Sequence, residues 1–315
     1  MTLERKPSAS VVVVIDYKAG GAGTWNELRL TLQALAAQDY DGDVDFLLVE
    51  PSATKHSVPD DLAKSLPSLR IVYTEGTTSY DLKNAGVEAA YADFVVILDA
   101  DCVPHEHWLS AVMAHHAAHP DAAVISGKTL YRAEGLLPRI FALIDRSYVD
   151  CGGPGRTNTI SNNNAAFRKD AMLEIPLRNE LGPFGSKQQS VEMLAAGKEL
   201  RFEPEMIAYH GYGGWPMQKH ARHYTGFSMT RHRQLNEDAT HAWMFKLGTL
   251  GLPLIFLMSI VGTWKNCLKR ASGYGIRWFE VPVAMLVAIR VHLMEMSGVR
   301  LALQNGELSG DGAFR

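Results

Sequence analysis

The 315-residue chain predicts an α/β layered domain, a mostly parallel central sheet flanked by helices, with an apolar helical hairpin at its C-terminal end. Three observations carry this. Val11-Val-Val-Val-Ile15 is a continuous β-branched run, the pattern of a strand buried on both faces. From there to His119, short apolar runs alternate with segments of helical period. Finally, Phe94-Val-Val-Ile-Leu-Asp99-Ala-Asp101 is an apolar run that stops on two carboxylates. In open α/β sheets ligands sit beyond the carboxyl ends of the strands, so such a run delivers its acids to that crevice. If extended geometry continues through the pair, Asp99 and Asp101 point the same way and Ala100 the other.

Taken in order, Val11–Ile15 is the first strand, closed by Asp16 and followed by the loop Gly20-Gly21-Ala22-Gly23. That loop lacks both the Gly-Lys-Ser/Thr ending and the Gly-x-Gly-x-x-Gly spacing of phosphate-binding loops, so a plain strand-to-helix connection is expected. Trp25, Leu28, Leu32 and Leu35 recur at helical spacing and predict a helix to Gln38. Phe46–Val49 is the second strand, with Glu50 at its end, and Leu69–Tyr73 the third. A helix over 79–92 and the Asp99-x-Asp101 strand follow, then a helix over 106–119 begun by Pro104. Ala122–Gly127 reads as another strand, Leu136–Val149 as a helix and Cys151–Gly155 as a loop. A helix over 186–196 ends at Gly197, and a strand over 201–210 ends at His210.

Composition narrows the function. A net charge of -3 gives no electrostatic case for a nucleic-acid partner. Three widely spaced cysteines, Cys102, Cys151 and Cys267, form neither a disulfide framework nor a zinc spacing, which fits a reducing compartment. The polar stretch Met1–Ser10 does not read as a signal peptide. Beyond residue 242 the chain changes character. Trp243–Trp264 carries Lys246 as its single charge and approaches spanning length, although Pro253 and its glycines interrupt it. Trp278–Leu303 is apolar but holds Glu280, Arg290, His292, Glu295 and Arg300. A hairpin lying in or on a membrane interface, with Lys265, Lys269 and Arg270 toward anionic headgroups, is the expectation; a buried hairpin capping the domain is its rival. The expected divisions are a main domain over 1–215, a basic connecting segment over 216–242, the hairpin over 243–305 and a tail over 306–315.

The ordered set of a Val-rich strand, a helix ending Leu35-Ala-Ala-Gln38, a strand ending in Glu50 before Ser52, Lys83-Asn84-Ala-Gly86 and Leu98-Asp-Ala-Asp101 resembles the family 2 glycosyltransferases, which have the GT-A fold. The resemblance continues through Ile160-Ser-Asn-Asn163-Asn164-Ala-Ala-Phe-Arg168 to the strand ending at His210. It implies inverting transfer of a sugar from a UDP- or GDP-linked donor, with Mn2+ or Mg2+, to a hydroxyl acceptor such as a lipid-linked or cell-surface glycan. By carry-over Asp16, Glu50, Lys83, Asn84, Asp99, Asn163 and Asn164 line the donor site, and Asp101 and His210 hold the metal. The cytoplasmic face of the cell membrane is the expected location, and monomer and homo-oligomer stay open.

One departure matters. The family usually places a Glu-Asp pair, whose Asp is the catalytic base, where this chain has Gly185-Ser186. Glu180, just upstream, is the candidate replacement. The alternative is a non-catalytic nucleotide-sugar-binding protein or partner subunit. A sugar nucleotidyltransferase shares the layered fold but needs a Gly-rich loop followed by Arg and Lys, whereas Thr24-Trp25 follows here.

Overall fold

The computed structural model describes residues 8–15 and 22–307. Among them one sheet contains β1 (Ala9–Val14), β2 (Val44–Pro51), β3 (Leu69–Thr74), β4 (Phe94–Asp99), β5 (Cys102–Pro104), β6 (Ala122–Tyr131), β7 (Gly155–Arg156), β8 (Asn164–Arg168) and β9 (Glu199–His210). The order across it is β3-β2-β1-β4-β8-β6-β9-β5, with β7 also on β9. β3, β2, β1 and β4 run parallel, as the alternation of strand and helix predicts. β8 then runs antiparallel to both β4 and β6, so the far half is mixed.

The helices are α1 (Ala22–Ala36), α2 (Leu62–Ser65), α3 (Ser79–Ala89), α4 (Trp108–Ala118), α5 (Leu136–Arg146), α6 (Lys169–Glu174), α7 (Gly185–Ala195), α8 (Gly214–Leu235), α9 (Leu252–Arg270) and α10 (Val281–Leu303). Strand alternation sorts the core into two layers. Val11 and Val13 pack with Leu28, Leu32 and Leu35 of α1 and with Trp108, Leu109 and Val112 of α4. Val12 and Val14 face Tyr80, Leu82 and Val87 of α3 and Met193 of α7. Each fully buried leucine contributes about 1.5–3 kcal/mol of apolar transfer, so the Leu28-Leu32-Leu35 stripe fixes α1 on its face.

Several boundaries differ from the sequence expectation, and three bear on the site or the hairpin. α3 ends at Ala89 rather than Ala92, because the Tyr91 N–H donates to Asp45 Oδ2 (3.2 Å) and the Ala92 N–H to Ser10 Oγ (3.0 Å). α4 starts at Trp108, since Pro104 belongs to β5 and the His105 N–H donates to the Ile207 carbonyl (2.9 Å). Most of the expected connecting segment, 216–242, forms the long helix α8, with Gln218, Arg222, Tyr224, Gly226, Ser228, Thr230 and His232 buried.

α8 crosses α10 at two glycines. A Cβ on Gly226 would lie 2.1 Å from the Glu295 carbonyl oxygen, and one on Gly298 would lie 1.9 Å from that of His223. Beside this crossing runs a buried polar chain. Arg222 pairs with Asp145 of α5 and with Glu295 Oε1 (2.7 Å), Glu295 Oε2 meets His292 Nδ1 (2.6 Å), and His292 Nε2 meets Thr263 Oγ1 of α9 (2.7 Å). Tyr131 and Gln218 both donate to Asp145. The hairpin therefore packs on α5 and α8 along its inner side. Its outer side keeps Leu250, Leu254, Leu257, Val261, Leu268, Val283, Leu286 and Leu293 exposed, with Leu250 and Trp278 each 85% exposed. Pro253 lies in the first turn of α9, where its missing N–H costs nothing.

Gly298→Ala should lower stability by about 1–3 kcal/mol through overpacking. Gly262→Ala, on an open stretch of α9, should raise it by about 0.5–1 kcal/mol through helix propensity. Paired thermal or urea unfolding of the two variants checks the contrast.

Candidate active site

The site lies at the carboxyl ends of β1, β2 and β4, where β9 returns beside β5. Gly86 sets the depth of α3: a Cβ there would come within 2.3 Å of Val12 Cγ1, so glycine lets the helix rest directly on β1. A capping box between Thr78 and Asp81 fixes the start of the same helix. Lys83, one turn in, is thereby carried to the tip of β4, where its Nζ lies 2.7 Å from Asp99 Oδ1. Both side chains are almost fully buried. Burial raises the Asp99 pKa, with Asp101 adding to the rise and Lys83 opposing it.

β4 stops at Asp99, so strand alternation does not run through the acidic pair. The Ala100 N–H donates to the Val14 carbonyl (2.9 Å), and the Asp101 carbonyl accepts from the Gly211 N–H (3.1 Å). This turn separates the two acids: Asp99 faces Lys83, while Asp101 Oδ2 lies 3.2 Å from His210 Nε2. Cys102 pairs across from His210 in the β5–β9 ladder, and Asp101, Cys102 and His210 bring their donor atoms within 4.8 Å of one another.

The donor set fits a divalent cation of the Mn2+ or Mg2+ kind. His210 Nδ1 lies 2.7 Å from the Gly211 carbonyl and donates to it, which leaves the Nε2 lone pair facing Asp101. Cys102 is buried, its thiol pushed well up by burial and by Asp101 and Asp99, so it offers no ready thiolate to a softer metal. Asn163 Nδ2 donates to Thr129 Oγ1 (3.2 Å) and lies 3.6 Å from Cys102 Sγ, and the Asn163 carbonyl accepts from the Asp99 N–H (3.2 Å).

The remaining residues expected here take different positions. Asp16 lies outside the described residues. Glu50 is buried near the end of β2; Thr54 donates to its Oε2 (3.1 Å), and Oε1 has no partner among the described residues. Burial pushes its carboxyl up to about 7. Asn84 is engaged away from the Asp101–His210 pair. It holds the Leu177 backbone by two bonds, donating to the carbonyl (2.9 Å) and accepting from the N–H (3.1 Å). Asn164 is consumed inside the fold: it accepts from Trp108 Nε1 (2.8 Å) and donates to the Lys128 and Met206 carbonyls (3.1 and 3.0 Å). Glu180 sits exposed on the 3-10 turn Asn179–Phe184 that leads into α7. Gly185 itself is packed: a Cβ there would meet the Tyr80 ring at 2.3 Å and the Arg178 carbonyl at 2.6 Å.

Two neighbours escaped the sequence reading. Tyr131 stands edge-on to His210, with ring centroids 5.8 Å apart, and the Arg146 guanidinium lies 5.8 Å from the Tyr131 centroid. Arg146 ends α5, a place where periodicity does not separate a solvated base from one turned inward.

β4 ending at Asp99, an α3 lysine on that acid, and a returning histidine on Asp101 in the turn beyond it make a polar crevice at the carboxyl edge of the sheet, where open α/β folds bind their ligands. The profile of glycosyl transferase family 2 matches residues 11–175. The chain belongs to that family, and it is a nucleotide-sugar glycosyltransferase. Among solved structures it is similar to a mannosyltransferase, PcManGT from Pyrobaculum calidifontis, in complex with GDP-Man and Mn2+. That likeness has a TM-score of 0.61 at 15% identity, covers 96% of this chain and 89% of that one, and shows the shared fold. Comparison with curated proteins finds no match by sequence.

The Glu50 carboxyl titrates at about 7 in the folded chain, above its ordinary 4.5, so folding favours its protonated form. The stability this supplies is complete below about pH 4.5 and is lost as pH rises through about 7. Glu50→Gln should remove that decline, whose steepest slope is about 1.4 kcal/mol per pH unit. Urea unfolding of wild type and variant across this range is the check.

Proposed function

We propose that the protein is a metal-dependent, inverting glycosyltransferase that moves a sugar from a GDP- or UDP-linked donor to a hydroxyl acceptor at a membrane surface. The observation that carries the reading is the Asp101–His210 pair, 3.2 Å apart, at the end of the strand whose Asp99 is held by Lys83. Asp101 and His210 would hold Mn2+ or Mg2+, which supplies Lewis-acid neutralisation of the departing diphosphate. Lys83 and Arg146 add fixed positive charge on the two flanks of that position. Glu50, with one buried oxygen unpartnered, is suited to accept a hydrogen bond from the base or ribose of the nucleotide. Asn84 and Asn164 act at one remove, the first by fixing the chain before α7 and the second by tying β8 to β6, β9 and α4.

In single displacement the acceptor oxygen attacks the anomeric carbon, the bond to the diphosphate breaks, and the acceptor proton passes to a carboxylate. Ser186 stands where the family's catalytic Asp is expected, so that carboxylate is missing, and Glu180 is the base on this reading. The membrane part of the proposal rests on the outer face of the hairpin. The run Ala242–Tyr274 is long and apolar enough to cross a membrane by length and composition, with a mean hydropathy of 1.9 and only 22% of its apolar window buried. Lys265 and Lys269 are exposed beside that face, whereas Arg270 turns inward to the Ser147 carbonyl (2.5 Å). A monotopic seat on the cytoplasmic face, apolar stripe down, accounts for this arrangement.

The test of the chemistry is nucleoside-diphosphate release from a panel of GDP- and UDP-sugars, with Mn2+, with Mg2+ and with EDTA. Release with one donor should require metal and fall by about 100-fold or more in Asp101→Ala. Glu180→Gln should lower kcat by about 100-fold or more while leaving donor affinity in place. Tight donor binding without release in any condition would favour a non-catalytic partner subunit instead. For the membrane seat, flotation with anionic vesicles should fall sharply in the double variant Leu257→Asp, Leu286→Asp; unchanged flotation would remove it.

A further inference from the structure

A second polar cluster lies where α7 begins, and the catalytic scheme above does not use it. His232, near the C-terminal end of α8, is 1% exposed, and neither ring nitrogen has a hydrogen-bond partner among the described residues. Its ring centroid is 5.8 Å from that of Phe184, the residue immediately before α7. Lys187, in the first turn of α7, is half-buried and donates to the Asn158 carbonyl and to Thr159 Oγ1, each at 3.0 Å. Arg233 is half-buried as well, and its Nε is without a partner among the described residues. Asn236 donates to Gln188 Oε1 (2.8 Å) and so joins the end of α8 to α7.

No carboxylate balances these groups among the described residues. The nearby Glu192 is engaged by Arg178 (3.4 Å) and Gln188 (3.0 Å). Arg233 and Lys187 both depress the His232 pKa, to about 4, after burial, which has the larger effect; the cluster is thus an uncompensated positive field. Two half-buried cations and a buried imidazole with open nitrogens are costly without a counterpart, and an anion with several acceptor oxygens satisfies all three. The cluster also adjoins the donor site. Lys187 holds the 158–159 loop, which runs into Ser161 and Asn163 beside Cys102, and Gly185 abuts Tyr80, whose ring faces Lys83 at 5.9 Å.

We propose that Lys187, His232 and Arg233 form a subsite for a phosphate group carried by the acceptor. The position replaces the family's acidic pair with a cationic environment, so the acceptor end of the crevice selects an anionic partner. A phosphate monoester near neutral pH carries between one and two negative charges and three acceptor oxygens, which matches this donor set. The inference rests on the glycosyltransferase reading, and its test separates the two.

Calorimetry on the full chain, with Mg2+ and saturating nucleoside diphosphate to fill the donor site, measures the binding of inorganic phosphate. Wild type should bind it, and Arg233→Gln and Lys187→Gln should each weaken it about tenfold, the loss expected for one charged hydrogen bond. Nucleoside-diphosphate affinity, measured separately, should stay within about twofold, since neither side chain touches the donor residues. A short isoprenyl phosphate and a hexose phosphate then distinguish the source: tighter binding of one names a lipid or a sugar carrier, and equal binding of all three means a site for free phosphate and overturns the assignment to the acceptor. Phosphate affinity unchanged in both variants, or absent in wild type while nucleoside diphosphate binds, overturns the subsite. Loss of both ligands in wild type overturns the donor site as well.

Discussion

The ion pair between Lys83 and Asp99 is the contact on which the crevice at the carboxyl edge of the sheet depends. Two opposite charges taken almost wholly out of water are tolerated because they are 2.7 Å apart; removing either leaves the other buried and unpaired, at a cost of about 3–5 kcal/mol. Their meeting requires α3 to lie on β1 at the separation that Gly86 permits. It also requires β4 to end at Asp99, so that the following turn hands Asp101 to β9. The Ala100-Asp101 turn is thus suspended between Val14 of β1 and Gly211 beyond β9, with one backbone hydrogen bond to each.

The parts of this arrangement that follow from period and position were legible in the sequence. Val11–Ile15 and Phe94–Asp99 announce buried parallel strands, and the second names the crevice by where it stops. Glu50 was legible as an acid near a strand end, though not as a carboxyl fully shut off from water. The orientation of amide side chains was not legible. Asn163 and Asn164 are neighbours of one type; one reaches toward Cys102, while the other spends its hydrogen bonds on Trp108 and two carbonyls. Only the register of β8 between β4 and β6 decides which is which, and that register is a long-range property.

The burial of α8 is not legible for a related reason. Its buried face carries Gln218, Arg222, Ser228, Thr230 and His232 rather than leucines, so an apolar period does not reveal it. What makes that face acceptable inside the protein lies elsewhere in the chain: Asp145, Glu295, and a glycine crossing against α10. A basic, weakly apolar stretch read alone resembles a surface segment rather than a buried one. Its partners are some 70 residues away on either side, as the 77- and 73-residue separations Asp145–Arg222 and Arg222–Glu295 show.

That polar chain has a further meaning. From Thr263 through His292, Glu295, Arg222 and Asp145 to Tyr131, it runs without a break from the apolar hairpin to the ring that stands against His210. A rotation of the hairpin would disturb charged hydrogen bonds along its whole length, and such bonds resist displacement far more steeply than an oily contact does. The hairpin face proposed as a membrane seat and the imidazole proposed to hold the cation therefore belong to one mechanically continuous body. On the proposed membrane seat, the height of the Asp101–His210 pair above the surface would be set by the fold itself, as a fixed standoff rather than a tether.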